Sequence, residues 1–195
     1  MDTVAFGLAA AALLATPGPT NTLLAIASAT RGVRRSWPLI VAELGGYLLV
    51  CAPLAVFSGT WLGNHPAVAL ALKLISAGWV LTLAIKLWNS PTQATADTGR
   101  GPTFHNVLTT TLLNPKGLVF GLVLLPHDSL DGITGRLALL SLLIVVIASL
   151  WLCIGATLLR HANRRAPGLV QRAAATALFG FSAILVWHTL GAQLP

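Results

Sequence analysis

The stretch Ala15-Thr16-Pro17-Gly18-Pro19-Thr20-Asn21 interrupts the first apolar run of the chain, and its reading decides the fold. Apolar sequence extends from about Val4 to Ala15, breaks at Pro17-Gly18-Pro19, and resumes as Leu23-Leu24-Ala25-Ile26 before Arg31, Arg34 and Arg35. A soluble helix ends at such a pair of prolines, because each removes a backbone donor and its ring clashes with the preceding turn. At bilayer depth a break survives only where protein or a water-filled cavity satisfies the freed backbone groups. The break therefore points to a substrate or ion site at membrane depth.

The composition agrees with that setting. The chain has 195 residues, 55% hydrophobic and 9% charged, where ordinary globular domains carry roughly 25% charged residues. Its mean hydropathy is +0.80, which places it in the polytopic membrane class, with the lipid bilayer as its first partner. The net charge of +7 does not indicate nucleic acid, since most basic residues sit in short clusters between apolar runs and read as topology signals. Cys51 and Cys153 lie far apart in apolar runs and form no CxxC pair. His65, His105, His127, His161 and His188 fall in loops or near span ends without metal-ligand spacing, so neither a metal site nor a cofactor is expected. The Ala-rich run before Thr16 resembles the apolar part of a signal peptide, but Asp2 stands where basic residues belong, so no cleaved signal is expected.

Six apolar segments can be drawn, over 4–29, 38–57, 67–88, 107–126, 137–159 and 169–190. Each is near the roughly 20 residues that a helix needs to cross about 30 Å of hydrocarbon. The expected fold is all-α: one transmembrane domain of six helices over residues 1–195. The polar stretch around 91–103, with Pro91, Gly99, Gly101 and Pro102, is the linker between halves of about 1–90 and 104–195.

Charge sets the orientation. Loops on one side carry Arg31, Arg34, Arg35, Lys86, Arg100, Arg160, Arg164, Arg165 and Arg172 against Asp97. The other side carries Asp2, Asp128, Asp131 and Arg136. The positive-inside rule then puts both termini outside the cytoplasm. With three crossings per half, the halves enter the membrane from opposite sides. The first has its proline break in segment one, and the second has Asn114-Pro115-Lys116-Gly117 at a similar depth in segment four. Interrupted spans at matching positions of inverted halves are the sequence pointer to a transporter's midplane site.

Several residues carry the candidate chemistry. Glu43 is the only acid inside an expected span, and such groups are functional candidates by default. It reads either as a carboxylate tied to Arg34 or Arg35 at the interface or as a functional group, a proton carrier or a ligand of the substrate amine, and the functional reading is preferred. Tyr47 and Cys51 follow at four-residue intervals, giving one helix face an acid, a phenol and a thiol. Lys116 lies too deep to snorkel, unlike Lys73 and Lys86, and needs Glu43 or a substrate carboxylate as partner. Asn21 and Asn114 flank the two breaks, with Thr16, Thr20 and Thr22 around the first. They cap the half-helices or help bind a substrate whose anionic group faces a half-helix N-terminus. The substrate-binding set is therefore Thr16, Pro17, Gly18, Pro19, Asn21, Tyr47, Asn114, Pro115 and Lys116, with Glu43 as the proton-coupling group.

Pro17-Gly18-Pro19, the Gly32-Val33-Arg34-Arg35 cluster, and Asn114-Pro115-Lys116 with Pro126 closing the same span together resemble the LysE/RhtB family of amino-acid exporters. Leu72-Lys73-Leu74-Ile75-Ser76-Ala77-Gly78 is similar to that family as well, so the resemblance covers nearly the whole chain. It implies a bacterial inner-membrane carrier that expels amino acids or related metabolites in exchange for protons. Some positions depart from the family pattern. Ser36 replaces a glycine, Gly46 is followed by Tyr47 rather than an acid, and Pro126-His127-Asp128 stands for Pro-Gln-Phe.

Other classes read less well. An enzyme lacks a nucleophile–base pair or nucleotide loop here. A relay of electrons through Cys51 and Cys153 is disfavoured because buried cysteines mostly behave as small hydrophobes. Export of metal cations by the same fold is the alternative within transport, and one intramembrane Glu is a poor cation cage. A non-transporting scaffold remains, to be separated by a flux assay. Homo-oligomerisation is left open by the sequence.

Overall fold

Several helices in this chain start where the sequence supplies a side-chain acceptor or a proline. The computed structural model describes residues 2–61, 65–89, 101–125, 130–159, 161 and 169–191, with most of their side chains. Within them every regular element is helical. Asp2 caps α1 (Thr3–Ala15), its carboxylate accepting from the Ala5 amide at 2.7 Å. Pro19 opens α2 (Pro19–Arg31) at the position where a missing N–H is best tolerated. Gly32 ends that helix at φ 82°, a left-handed conformation reached without a Cβ clash, and the short α3 (Val33–Ser36) follows. A second proline opens α4 (Pro38–Trp61), which also contains Pro53, and α5 spans Pro66–Asn89. Thr103 and Asn106 form a reciprocal capping box at the start of α6 (Phe104–Leu112). Asn114 and Pro115 begin α7 (Pro115–Val119), which widens into a π-helical turn over Phe120–Leu124. The long α8 (Leu130–Ile154) runs into a second π-helical turn, Gly155–Leu159, and α9 spans Leu169–Gly191.

Among the described residues these helices group into six segments at the places the apolar runs indicate. Two starts differ. The fourth segment begins at Phe104 and the fifth at Leu130, rather than at 107 and 137. A helix end requires a cap more than it requires apolar residues, so hydropathy trims it short. Arg136, read as a loop residue, lies inside α8, and its guanidinium carbon sits 5.7 Å from the centre of the Phe6 ring. That is within cation–π range.

By length and hydropathy, Val33–Val56 and Gly132–Leu159 can each cross a membrane. The pair Thr3–Ala15 and Pro19–Arg31, bent by 58° at the Pro-Gly-Pro break, qualifies as a third if taken as one span. Large apolar side chains cover the outer surface, including Val4 at 72%, Leu8 at 69% and Trp187 at 77% exposure.

Three apolar clusters hold the segments together. Phe6, Leu14, Tyr47, Phe120, Leu140 and Ile144 join α1, α4, the first π turn and α8. Leu24, Leu39, Ile40, Val107 and Leu152 join α2, α4, α6 and α8. Val80, Ala84 and Leu178 belong to α5 and α9, which pack chiefly on each other. The Ser182 hydroxyl donates to the Ala77 carbonyl at 3.0 Å across that pair, and Trp88 meets Phe179 edge-on at 6.3 Å. The chain thus forms a bundle of α1, α2, α4 and α6–α8 with an α5–α9 pair beside it, touching it more sparsely.

Part of the sequence reading lies outside the described residues. This holds for Pro91, Asp97, Gly99 and Arg100 of the linker, for Pro126, His127 and Asp128, and for Arg160, Arg164 and Arg165. It holds also for the side chains of Leu72, Lys73, Ser76, Asp131 and His188.

Candidate functional site

Pro17 and Pro19 remove the two amides that would otherwise meet the Leu13 and Ala15 carbonyls, so the backbone at the end of α1 needs other donors. Asn21, one turn into α2, supplies some of them. Its Nδ2 donates to the Leu14 carbonyl at 2.8 Å and to the Thr16 carbonyl at 3.0 Å, bridging the break from the far side. Thr16 turns its hydroxyl back to the Ala12 carbonyl at 2.8 Å. Gly18 precedes α2 without a side-chain cap.

The second break is built from an Asx cap. Asn114 Oδ1 accepts from the Lys116 amide at 3.1 Å, which starts α7 immediately at Pro115. The other end of the same side chain reaches across the molecule. Its Nδ2 donates to the Thr20 hydroxyl at 3.1 Å and to the Tyr47 hydroxyl at 3.3 Å. The Lys116 ammonium donates to the Thr16 carbonyl, so a side chain of the second break partners a carbonyl freed by the first. The two breaks, about a hundred residues apart in sequence, are in direct contact.

Helix α4 forms the wall behind them. Tyr47 is fully buried and meets Phe120 edge-on at 5.6 Å, while the Cys51 thiol points at the Gly117 carbonyl at 3.6 Å. The face of acid, phenol and thiol seen in the sequence is therefore turned toward the second break. Glu43 is 2% exposed, and its Oε2 has no hydrogen-bond partner. Arg34 and Arg35 are exposed on α3. The Lys116 ammonium is hydrogen-bonded to the Thr16 carbonyl. Cys51 is buried and Cys153 exposed, and both are free thiols.

The structure brings Thr16, Gly18, Asn21, Tyr47, Asn114 and Lys116 into one constellation, with Pro17, Pro19 and Pro115 as its backbone breaks. Sequence reasoning passes over Thr110 and Thr111. Both are fully buried, Thr111 lying 3.3 Å from the Thr20 hydroxyl and Thr110 accepting from the Trp79 indole at 3.3 Å. The signal was available: the run Thr109-Thr110-Thr111 stands in an apolar segment just before Asn114-Pro115. Gly46 lets α6 approach α4 there, since an added Cβ would lie 2.7 Å from the Thr111 Cβ.

A cavity of about 220 Å³ opens beside the first break, lined by Pro17, Gly18, Thr22, Ala177, Leu178, Gly180 and Phe181. Its far wall is α9, whereas the sequence places the site between segments one, two and four. A second cavity of about 260 Å³ lies further along α2, between Thr22, Ala25, Ile26, Trp151, Leu159, Ala173 and Ala174. Thr22 borders both. Among the described residues no cluster of three His, Cys, Asp or Glu side chains could hold a metal. No protein-family model, curated protein or solved structure matches the chain.

Proposed function

We propose that the chain is a secondary carrier of the LysE/RhtB type, exporting amino acids or related small metabolites across a bacterial inner membrane in exchange for protons. In this reading six helices cross the bilayer as two inverted three-helix halves, with both termini in the periplasm. The protein is a carrier and not an enzyme.

The observation that carries the reading is the pairing of the two breaks through the Lys116 ammonium and the Thr16 carbonyl. Broken helices whose ends meet give backbone carbonyls, amides and polar side chains to one small volume, the arrangement used to bind a zwitterion at mid-membrane. The apolar outer surface supports the bilayer setting. A buried acid with an oxygen that lacks a donor, in an interior that also holds the buried Lys116, supports ion coupling. Glu43 takes up and releases the proton, and Lys116 is the countercharge that responds. Alternating access would open the cavity to each side in turn.

Proteoliposomes assayed with and without a pH gradient test this reading. Wild type should concentrate substrate when the gradient is imposed and exchange substrate without it. Glu43→Gln keeps the shape and removes the charge, so it should insert, keep exchange, and lose gradient-driven accumulation at least ~10-fold. Undiminished accumulation by Glu43→Gln would show that the acid is structural. Absence of any amino-acid flux in wild type would overturn the carrier reading.

A further inference from the structure

The cavity between the first break and α9 has a chemistry of its own. Leu178 and Phe181 form its far wall, Pro17 and Gly18 its near wall, and Thr22 its edge, so among the described residues no charged side chain lines it. Gly180 adds no side chain, and a Cβ built there would meet nothing within 4 Å. The space is therefore open directly at the α9 backbone.

Its floor is different. A Cβ on Gly18 would lie 3.3 Å from Lys116 Cε and 3.4 Å from Lys116 Nζ. Gly18 thus lines the cavity and lies against a buried ammonium. That ammonium has three donors, and the Thr16 carbonyl takes one of them. The uncapped start of α2 lies at the same place. One end of the cavity thus favours an anionic group, and the other end is apolar.

We propose that this cavity is the side-chain pocket of the substrate site, and that it selects amino acids with uncharged, apolar side chains. The inference rests on the carrier reading and names its substrate class. The carboxylate of the substrate lies toward Gly18 and Lys116, and its side chain lies against Leu178 and Phe181. Size agrees with this assignment. An apolar cavity of ~150 Å³ admits benzene, so about 220 Å³ accepts a leucine or phenylalanine side chain. A lysine or glutamate side chain would bring an ion to a wall that offers it no partner, which is heavily penalised. Gly180 lines the pocket, and a side chain there meets no protein within 4 Å of its Cβ, so a large one has room to fill the pocket.

The test compares binding to the detergent-purified full chain, by calorimetry, with exchange in proteoliposomes, over alanine, leucine, phenylalanine, lysine and glutamate. Wild type should bind and exchange leucine and phenylalanine at least ~10-fold better than lysine or glutamate, since one missing or extra methylene in a pocket already discriminates ~10-fold or more. Gly180→Leu fills the pocket from α9, and Ala177→Phe fills it from a turn away. Each should lose leucine at least ~10-fold and shift the preference toward alanine, with Gly180→Ala losing less leucine binding than Gly180→Leu. Wild type that fails to bind leucine, or prefers lysine or glutamate, overturns the proposal without need of any variant. Wild-type leucine binding and exchange in folded Gly180→Leu and Ala177→Phe overturns the pocket and leaves the carrier standing. Leucine binding that Gly180→Leu removes, with no exchange by wild type, keeps the pocket and sinks the carrier reading.

Discussion

Asn21 and Asn114 perform the same task at the two breaks with opposite ends of the amide. Asn21 uses its two-donor nitrogen to satisfy the carbonyls of Leu14 and Thr16. Asn114 uses its oxygen to cap α7 and its nitrogen to reach Thr20 and Tyr47. Leucine at either position has similar bulk and no polar atoms, so buried carbonyls, amides and hydroxyls lose their partners. Each orphaned group costs ~1–3 kcal/mol. The double variant Asn21→Leu, Asn114→Leu should therefore melt several degrees lower than wild type in detergent and lose substrate exchange even where it folds. Wild-type exchange by a folded double variant would contradict a shared site at the two breaks.

At the scale of elements, close helix approach depends on glycine at particular contacts. Gly155 starts the second π turn, and a Cβ there would fall 2.1 Å from the Ala25 carbonyl and 2.2 Å from the Ser28 hydroxyl. The first obstacle is backbone of α2, which cannot rotate away as a side chain can. Gly45, on α4, has nothing within 4 Å of a built Cβ. Alanine in a helix gains roughly 0.5–1 kcal/mol over glycine through backbone entropy. Overpacking of this kind costs ~1–3 kcal/mol, or more where backbone must move. Gly155→Ala should thus lower the melting temperature, whereas Gly45→Ala should leave it unchanged or raise it. Equal melting of the two variants would mean that α8 does not seat on α2 at Gly155.

The whole molecule is a bundle with a sparsely attached α5–α9 pair, and both cavities lie along α2, between it and α9. Such a division suits a carrier in which one group of helices moves against another around a fixed site. The topology that accompanies this reading is testable by itself. In a background with Cys51 and Cys153 replaced by serine, cysteine is introduced by Thr95→Cys or Pro195→Cys. A membrane-impermeant maleimide added to intact cells should label the second and not the first, because residue 95 falls on the same side as the two arginine-rich loops, which stay in the cytoplasm. Labelling at both positions would contradict six inverted crossings.

What the sequence by itself determined is local. Pro17, Pro19, Asn114 and Pro115 act on their own backbone or within a few residues of it, so the two breaks were legible as missing amides and caps. The apolar runs coincide with helices for the same reason, since hydropathy is a property of a window. The direct contact between the breaks depended on a sum of pairings that no window contains. Lys116 to Thr16, Asn114 to Thr20 and Thr20 to Thr111 each join residues some ninety to a hundred positions apart. Thr111 packs closely on α4 only because Gly46 lets α4 and α6 approach. The π turns followed the same rule, because Gly155 is needed only where α8 meets the Ala25 carbonyl. The cavity belonged to tertiary structure altogether. Its apolar wall is made by Leu178 and Phe181 of the last helix, and only packing of α9 against α5 places that wall across from Gly18.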